Sequence, residues 1–393
     1  MKIKNMSLFS VYVLLFGIWV FFRTTGNLPF FYNTGIIWIS SFAKALIIIL
    51  SIYFIVIGKT KLKDWVILFS LLLLAFTTYY SSRNIDFSFF LLVVLGMRNK
   101  DIYKVIKSVY IGMLLGIIFV LFMYLIGLSP DIVQIRLGRV RHSLGFSLPI
   151  ILPALYYSLV SAFILLKKNK LKSKHILIIV LFSIIIMLMC DGRAPMLLTL
   201  LTVFTVYFTT NTSISTKKLS NIFFWISVIC LIFAISMSLY FVFYYDSNNI
   251  YHFKINEQLT GRAYWWNLYQ STYDINLFGQ NILRVGGASI NDSSVFLNSN
   301  LMILDNGYLS IIFEYGVVTF IIFIILLTVN LKILKVKKDY ISLIVWLGWI
   351  MYGIVSNQIY FIDRNFALFQ FVYVLSSFSC AKNYGRSKIN VFS

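Results

Sequence analysis

The sequence predicts an all-α polytopic integral membrane protein, and three observations predict it. Of 393 residues, 60% are hydrophobic and only 12% are charged, where a soluble domain is about half apolar and a quarter charged. The mean hydropathy is +0.87. The apolar residues gather in runs near the roughly 20 residues that carry a helix across a bilayer, and the charges fall in short segments between them.

About twelve spans follow in chain order, near 7–22, 36–57, 65–80, 85–98, 108–128, 147–166, 175–190, 194–210, 221–245, 307–331, 340–355 and 364–381. The start, MKIKNMSLFSVYVLLFGIWVFF, couples a basic segment to an apolar one without a small-x-small cleavage site, which predicts an uncleaved first span. The third and fourth runs are short and joined by SSRNI, and the seventh and eighth are short and joined by DGR, so re-entrant hairpins are an alternative to full spans there. The whole chain, 1–393, reads as one multi-span membrane domain. Its longest connection is 246–306, a predicted outer loop. Within it, EQLTGRAYWWNLYQSTY (257–273) repeats apolar residues at a helical period. This predicts an interfacial helix with Trp265 and Trp266 at headgroup level.

Lys and Arg accumulate on the cytoplasmic side of a membrane. The segments 1–6, 58–64, 98–107, 167–175, 211–220, 332–339 and 382–393 hold 23 of the 34 basic residues and three of the 13 acids, so both termini are placed in the cytoplasm. The intervening segments hold ten bases and ten acids. The lysines follow the rule and the arginines do not. Nine of eleven arginines fall on the predicted outer side, with Lys254 the one outer lysine. Arginine's planar fork grips phosphate and carboxylate bidentately, which lysine's point charge does not. The pattern therefore predicts an anion site at the outer face.

The net charge of +21 does not indicate nucleic-acid binding, because the basic residues are split among short runs and form no basic face. Cys190, Cys230 and Cys380 lie in or beside apolar runs without CxxC spacing, which indicates neither a disulfide framework nor a zinc site. No P-loop, GxGxxG, HExxH, GxSxG or DxD pattern stands in a supporting context.

The densest motif is RLGRVRHSLGF (136–146), with Arg136, Arg139, Arg141 and His142. As a helix it would set Arg136 and Arg139 on one face, and Gly138 and Gly145 permit close backbone approach to a ligand. It reads as a phosphate cradle beside a proton-transfer group, or as an interfacial anchor binding lipid headgroups. Asp191-Gly192-Arg193 suits a tight turn, with Arg193 either paired locally to Asp191 or pointing into an outer cavity. Arg262, in Leu259-Thr260-Gly261-Arg262, is a further anion clamp or a solvated loop residue. Asp305 is an N-cap or an acid at the rim of the same site. Lys44, inside its span, either snorkels or counters a buried acid, and Glu314 faces a cavity or pairs with a base. His175 reads as solvated beside a lysine run, and the role of His252 is open.

RLGRVRHSLGFSLP, the DGR turn, TGRAYWW followed by NLFGQNI (276–282), and LDNGYLSIIFEYG (304–316) together resemble the polysaccharide repeat-unit polymerases of the Wzy type, in the O-antigen polymerase and ligase superfamily. The chain departs at Leu148-Pro149-Ile150, apolar where the family carries a polar stretch. The resemblance implies a glycosyltransferase C-like membrane fold in a bacterial cell membrane. It also implies a donor glycan carried on undecaprenyl pyrophosphate, transferred at the outer face to the next lipid-linked repeat unit. Arg136, Arg139, Arg141, Asp191, Arg193 and Arg262 would bind the substrate, and His142, with Asp305 or Glu257 or His252 as substitutes, would act as general base. The expectation includes no cofactor and no metal, since arginines would supply the positive charge. A chain-length regulator and a flippase are the expected partners besides membrane lipids. The alternatives are a lipid-linked oligosaccharide flippase and a ligase-type glycan transferase.

Overall fold

A computed structural model of the protein describes residues 7–29, 36–58, 62–136, 138–282 and 304–379. The first helices are α1 (Leu8–Thr25), α2 (Ile36–Ile57), α3 (Leu62–Ser82), α4 (Asp86–Gly96) and α5 (Ile102–Leu125). A two-stranded ribbon follows, β1 (Gln134–Arg136) and β2 (Arg139–Arg141). Next come α6 (Ile151–Lys167), α7 (Ser173–Cys190), α8 (Arg193–Thr210) and α9 (Thr216–Tyr244). Then α10 (Ile250–Gln258) and α11 (Arg262–Thr272) precede α12 (Gly307–Ser310), α13 (Val317–Val336), α14 (Tyr340–Tyr352) and α15 (Val372–Ser379).

Eight helices are long and apolar enough to cross a membrane: α1, α2, α3, α5, α7, α8, α9 and α13. Four shorter apolar helices accompany them, Asp86–Gly96, Ile151–Lys167, Tyr340–Tyr352 and Phe366–Ser377. The protein is thus an all-α, multi-pass membrane protein. Their outward faces keep large apolar side chains exposed, such as Trp38, Phe42, Leu125 and Leu188, which only lipid would cover without penalty. The spans read at 175–190 and 194–210 are two 18-residue helices, long enough to cross, and α3 runs for 21 residues, so of the four runs read as short only α4 is. The run read as one span at 307–331 is broken. A π turn over Ile311–Tyr315 and Gly316, at φ 91°, separate α12 from α13.

Helices meet where side chains are small. α1 crosses α5 at Gly17 and Gly112, where a Cβ on Gly112 would stand 2.2 Å from the Gly17 carbonyl oxygen. The loop after α11 is held by a second such approach. Val317 and Val318 amides donate to the Asn276 and Leu277 carbonyls, and a Cβ on Gly316 would lie 2.4 Å from the Gly279 nitrogen. The NLFGQNI and EYG motifs are therefore two halves of one contact.

Charge separates the two ends of the bundle. At one, Lys168 pairs with Asp339 at 2.7 Å and lies over the Tyr103 ring, and Lys100 lies over Phe54. At the other, Arg23 reaches Asp363 at 3.3 Å, and the amides of Ser147 and His142 bind the carbonyls of Asn27 and Met189. Lys44 sits in α2 and pairs with Asp86 at the start of α4, 2.8 Å away, with its ammonium over Phe89, so it counters an acid. Glu314 is buried and accepts from Asn84 Nδ2 at 3.1 Å.

Candidate functional site at the arginine end

The segment 129–147 is a folded loop between α5 and α6, and its ribbon corrects the helical reading of RLGRVRH. Gln134, Ile135 and Arg136 pair with Arg141, Val140 and Arg139, and Gly138 turns the chain at φ 72°. Alternation puts Arg139 and Arg141 on one face and Val140 on the other. Val140 and its partner Ile135 are 52% and 76% exposed, an apolar edge suited to the interface, while Arg141 turns inward and is 8% exposed. Arg136 and Arg139 still share a face, as opposed residues of a ribbon do. The side chain of Arg136 lies outside the described residues.

Arg141 donates from Nε to the Cys190 carbonyl at 3.2 Å, which neutralises an unsatisfied carbonyl at the end of α7. Burial draws the Arg141 pKa down and the nearby Asp191 draws it up; a guanidinium stays charged across this range. Arg141 lies within electrostatic reach of Arg262 as well. Asp191 occupies the left-handed C-cap of α7, φ 50°. One carboxylate oxygen there serves two arginines, Arg193 Nε at 2.8 Å and Arg139 Nη1 at 3.6 Å. The local contact foreseen for Arg193 is present, and the ribbon adds a second arginine to it.

Arg262 opens α11. Thr260 and Gly261 take left-handed backbone, φ 56° and 88°, and end α10 there, so the helix expected over 257–273 is two helices. Trp266 is buried in the core, on a helix that packs against α9, whereas Trp265 is 38% exposed. Arg262 bonds the Leu259 carbonyl and the Thr260 hydroxyl and faces Asp305 at 3.8 Å. Its Nε is buried and unpartnered. Asp305 is not the N-cap of α12. Asn306 is, accepting from the Tyr308 and Leu309 amides at 3.0 Å each, and this leaves Asp305 47% exposed beside Arg262. Arg193 and Arg262 share a further feature. Each is the first residue of a helix whose N-cap is a glycine without a side-chain cap, so backbone N–H groups and the helix dipole face the same side as the guanidinium.

His142 has a partner that the sequence reading missed. Its Nδ1 lies 2.6 Å from Asp131 Oδ2, and Asp131 Oδ1 accepts from the Ser143 and Leu144 amides at 2.8 and 3.0 Å. Burial pushes the Asp131 carboxyl up, but the His142 bond and the two amides outweigh it and hold the group below the usual carboxylate range. An ionised carboxylate only accepts, so Nδ1 carries the hydrogen in this bond. The acid eleven residues upstream in the same loop was the available signal. His252 is different. Its Nδ1 accepts from the Asp246 amide and its Nε2 meets the Tyr240 hydroxyl, so it is a packing residue. Glu257 is exposed on α10.

The arginines left without a role by the sequence join the same end. Arg23 and Arg364 both reach Asp363, and buried Tyr352 stands within electrostatic reach of Arg364, Arg262 and Asp305. Arg83 lies over the Tyr80 ring instead, and Arg284 lies outside the described residues with the rest of 283–303. Among the described residues, Arg23 and Arg364 thus meet Asp363, Arg139 and Arg193 meet Asp191, Arg262 meets Asp305, and Arg141 lies within electrostatic reach of Asp191. Compared with protein-family models, with curated proteins and with solved structures, the chain has no match.

Proposed function

We propose that this chain is a polysaccharide polymerase of the Wzy type, transferring a glycan from undecaprenyl pyrophosphate to the next lipid-linked repeat unit. The observation that carries this reading is the convergence of arginines from the ribbon, α8 and α11 on one end of a membrane protein, beside an Asp-oriented histidine. A pyrophosphate leaving group is a polyanion, and preorganised guanidiniums stabilise the charge that develops on it. The donor pyrophosphate would lie against Arg136, Arg139, Arg141, Arg193 and Arg262. The acceptor hydroxyl would give its proton to His142 Nε2 as its oxygen attacks the anomeric carbon. The bond from that carbon to the pyrophosphate oxygen breaks, the electron pair leaves with the pyrophosphate, and the configuration inverts. Asp131 holds the imidazole and balances the charge it gains; Asp305 sets Arg262.

The eight long and four shorter apolar helices support a twelve-span reading of this fold, glycosyltransferase C-like, with 246–306 as the large outer loop. The lysine-rich end would face the cytoplasm with both termini, and the arginine end the outside of a bacterial cell membrane. A flippase and a chain-length regulator are the partners that such a reaction calls for. A flippase reading of this chain itself would favour a midplane site, whereas the arginines stand at one end.

The test is elongation by purified protein with lipid-linked repeat units already on the outer side, so that no translocation is needed. Arg193→Ala and Arg262→Ala, at matched expression, are expected to lose polymer length and yield. Normal polymer from both variants would sink the clamp.

A further inference from the structure

The 129–147 loop stands beside two helix ends that face lipid. Along α5, Ile111, Leu115, Ile118, Phe122 and Leu125 recur every three or four residues, and all are exposed. That spacing is one face of a helix, and on a helix long and apolar enough to cross a membrane such a face meets acyl chains. From Lys107, the last charge of α5, to Leu125 the helix rises about 27 Å at roughly 1.5 Å per residue. A hydrocarbon core is roughly 30 Å thick, so Leu125, 78% exposed, stands at its far edge. Exposed Leu188 lies at the same end on α7, where the neighbouring Met189 carbonyl takes the His142 amide at 2.8 Å.

The base of the loop is pinned to α5. The Leu128 and Ser129 amides bind the Met123 carbonyl at 2.9 and 3.1 Å, and the Ser129 hydroxyl donates to the Gly145 carbonyl at 2.8 Å. A Cβ on Gly145 would stand 2.7 Å from Tyr124 Cβ, so the chain lies directly on the helix there, at φ 87°. The ribbon that rises from this base has two unlike faces. Ile135 and Val140, opposite each other in the register, are exposed, and so is Val133 two residues before Ile135. The other face holds Arg139 and the inward-turned Arg141, which His142 follows. Exposed apolar residues thus run on from the lipid face of α5, through Ile126 and Leu128, to the ribbon.

We propose that the apolar face of the ribbon, Val133, Ile135 and Val140, is inserted in the lipid leaflet at the arginine end. Amphipathic elements at an interface bury their apolar face roughly 5–10 Å into the boundary between headgroups and acyl chains. The opposite face of so thin an element then lies at headgroup level. The anchor thereby fixes the depth of Arg139 and of the His142 that follows β2. A second copy of the chain is the poorer occupant, because three apolar side chains fall short of the roughly 800 Å² per partner of a stable dimer. The proposal rests on the membrane fold and not on the chemistry. Under the polymerase reading, the anchor sets the ribbon arginines level with a lipid-linked pyrophosphate.

The test places p-benzoylphenylalanine, which links to nearby C–H bonds on irradiation, at Ile135, Val140, Arg139 or Leu125 of the full-length protein in phosphatidylcholine vesicles. All four side chains are exposed, so the fold is spared. Each irradiated protein is weighed intact and its adduct is fragmented, with Leu125 as the lipid-facing reference. Positions 135 and 140 are expected to gain one phospholipid mass as efficiently as position 125, with the link on an acyl chain. Position 139 is expected to lose the acyl-chain link. No lipid adduct at 135 and 140, where 125 gives one, means a surface covered by water and overturns the anchor. A mass of two chains at those positions makes the ribbon a contact between copies and overturns it likewise. Equal acyl-chain links at 139 and 135 mean that the ribbon has no lipid face, which overturns insertion by one side. The polymerase reading fails separately: an acyl-chain adduct at 135, with normal polymer from Arg193→Ala and Arg262→Ala, keeps the anchor and removes the clamp.

Discussion

The lysine end and the arginine end of this molecule carry charge of one sign in opposite arrangements. At the lysine end the cations spread out. Lys100, Lys168, Lys335 and Lys337 each lie over an aromatic ring, and α1, α5, α9 and α14, which start there, are capped by Ser7, Asp101, Ser215 and Asp339. At the arginine end the cations converge, two to a carboxylate at both Asp191 and Asp363, and α6, α8 and α11 begin without a side-chain cap, while Asn249 and Asn306 cap α10 and α12. One end pairs its cations with aromatic rings and side-chain caps. The other gathers guanidiniums beside uncapped helix starts, the kind of donors that the proposed pyrophosphate substrate would require.

The sharpest way to break this contrast is a matched pair of histidines. Removal of a general base lowers a rate by about 10²–10⁴, so His142→Ala is expected to cut the initial rate of elongation by that range. His175, at the lysine end, accepts the Lys172 amide at the start of α7 and packs edge-on against Phe163, and His175→Ala is expected to leave the rate unchanged. A His142→Ala variant with near-normal rate moves the base to Asp305, since both nitrogens of His252 are engaged.

Next in size is a swap of the two cations. Arg193→Lys keeps a charge beside Asp191 and loses the fork, and is expected to lower elongation about tenfold. Lys168→Arg at the other end keeps its pair with Asp339 and is expected to have no effect on polymer. Equal effects from both swaps would mean that charge alone matters at the arginine end. Smaller again, Asp339→Asn removes the charge that pairs with Lys168 and weakens the cap that accepts from the Ser342 amide at 3.2 Å. It is expected to lower unfolding stability by about 1 kcal/mol without changing polymer length, read by thermal melting beside an elongation assay.

Much of this contrast was legible in the chain. Apolar runs and the split between Lys and Arg placed the helices and the two ends, because both follow from local composition. Arg193 makes the local contact with Asp191 that its turn allowed. Readings failed where one residue of register or a long-range contact decided. Arg139-Val140-Arg141 alternates as a strand does, and the helical reading of that stretch overlooked it. Asp305 and Asn306 are both good caps, and only the entry angle of α12 selects the second. Thr260-Gly261 broke a helix that periodicity alone would carry through. Arg23 and Asp363 are 340 residues apart, and no local pattern announces such a meeting.

The smallest effect concerns pH and isolates the Asp131–His142 pair from the arginines around it. The folded Asp131 carboxyl sits below its ordinary value near pH ~3.9. A depressed folded pKa means that the ionised form stabilises the loop above the unfolded value, and that this contribution is lost as pH falls through the folded value. Protonation would remove the acceptor for the Ser143 and Leu144 amides and for His142 Nδ1 together. Hydrogen exchange of those two amides is therefore expected to accelerate, relative to unfolded peptide at the same pH, only once pH drops below about 3.9. Asp131→Asn is expected to show the faster exchange at neutral pH and no further change on acidification. At the lysine end, the Tyr103 amide is held by Asp101, a cap on the exposed start of α5; it serves as the internal comparison, because Asp131→Asn leaves its exchange and its pH dependence unchanged if the Asp131 carboxylate acts only on its own loop.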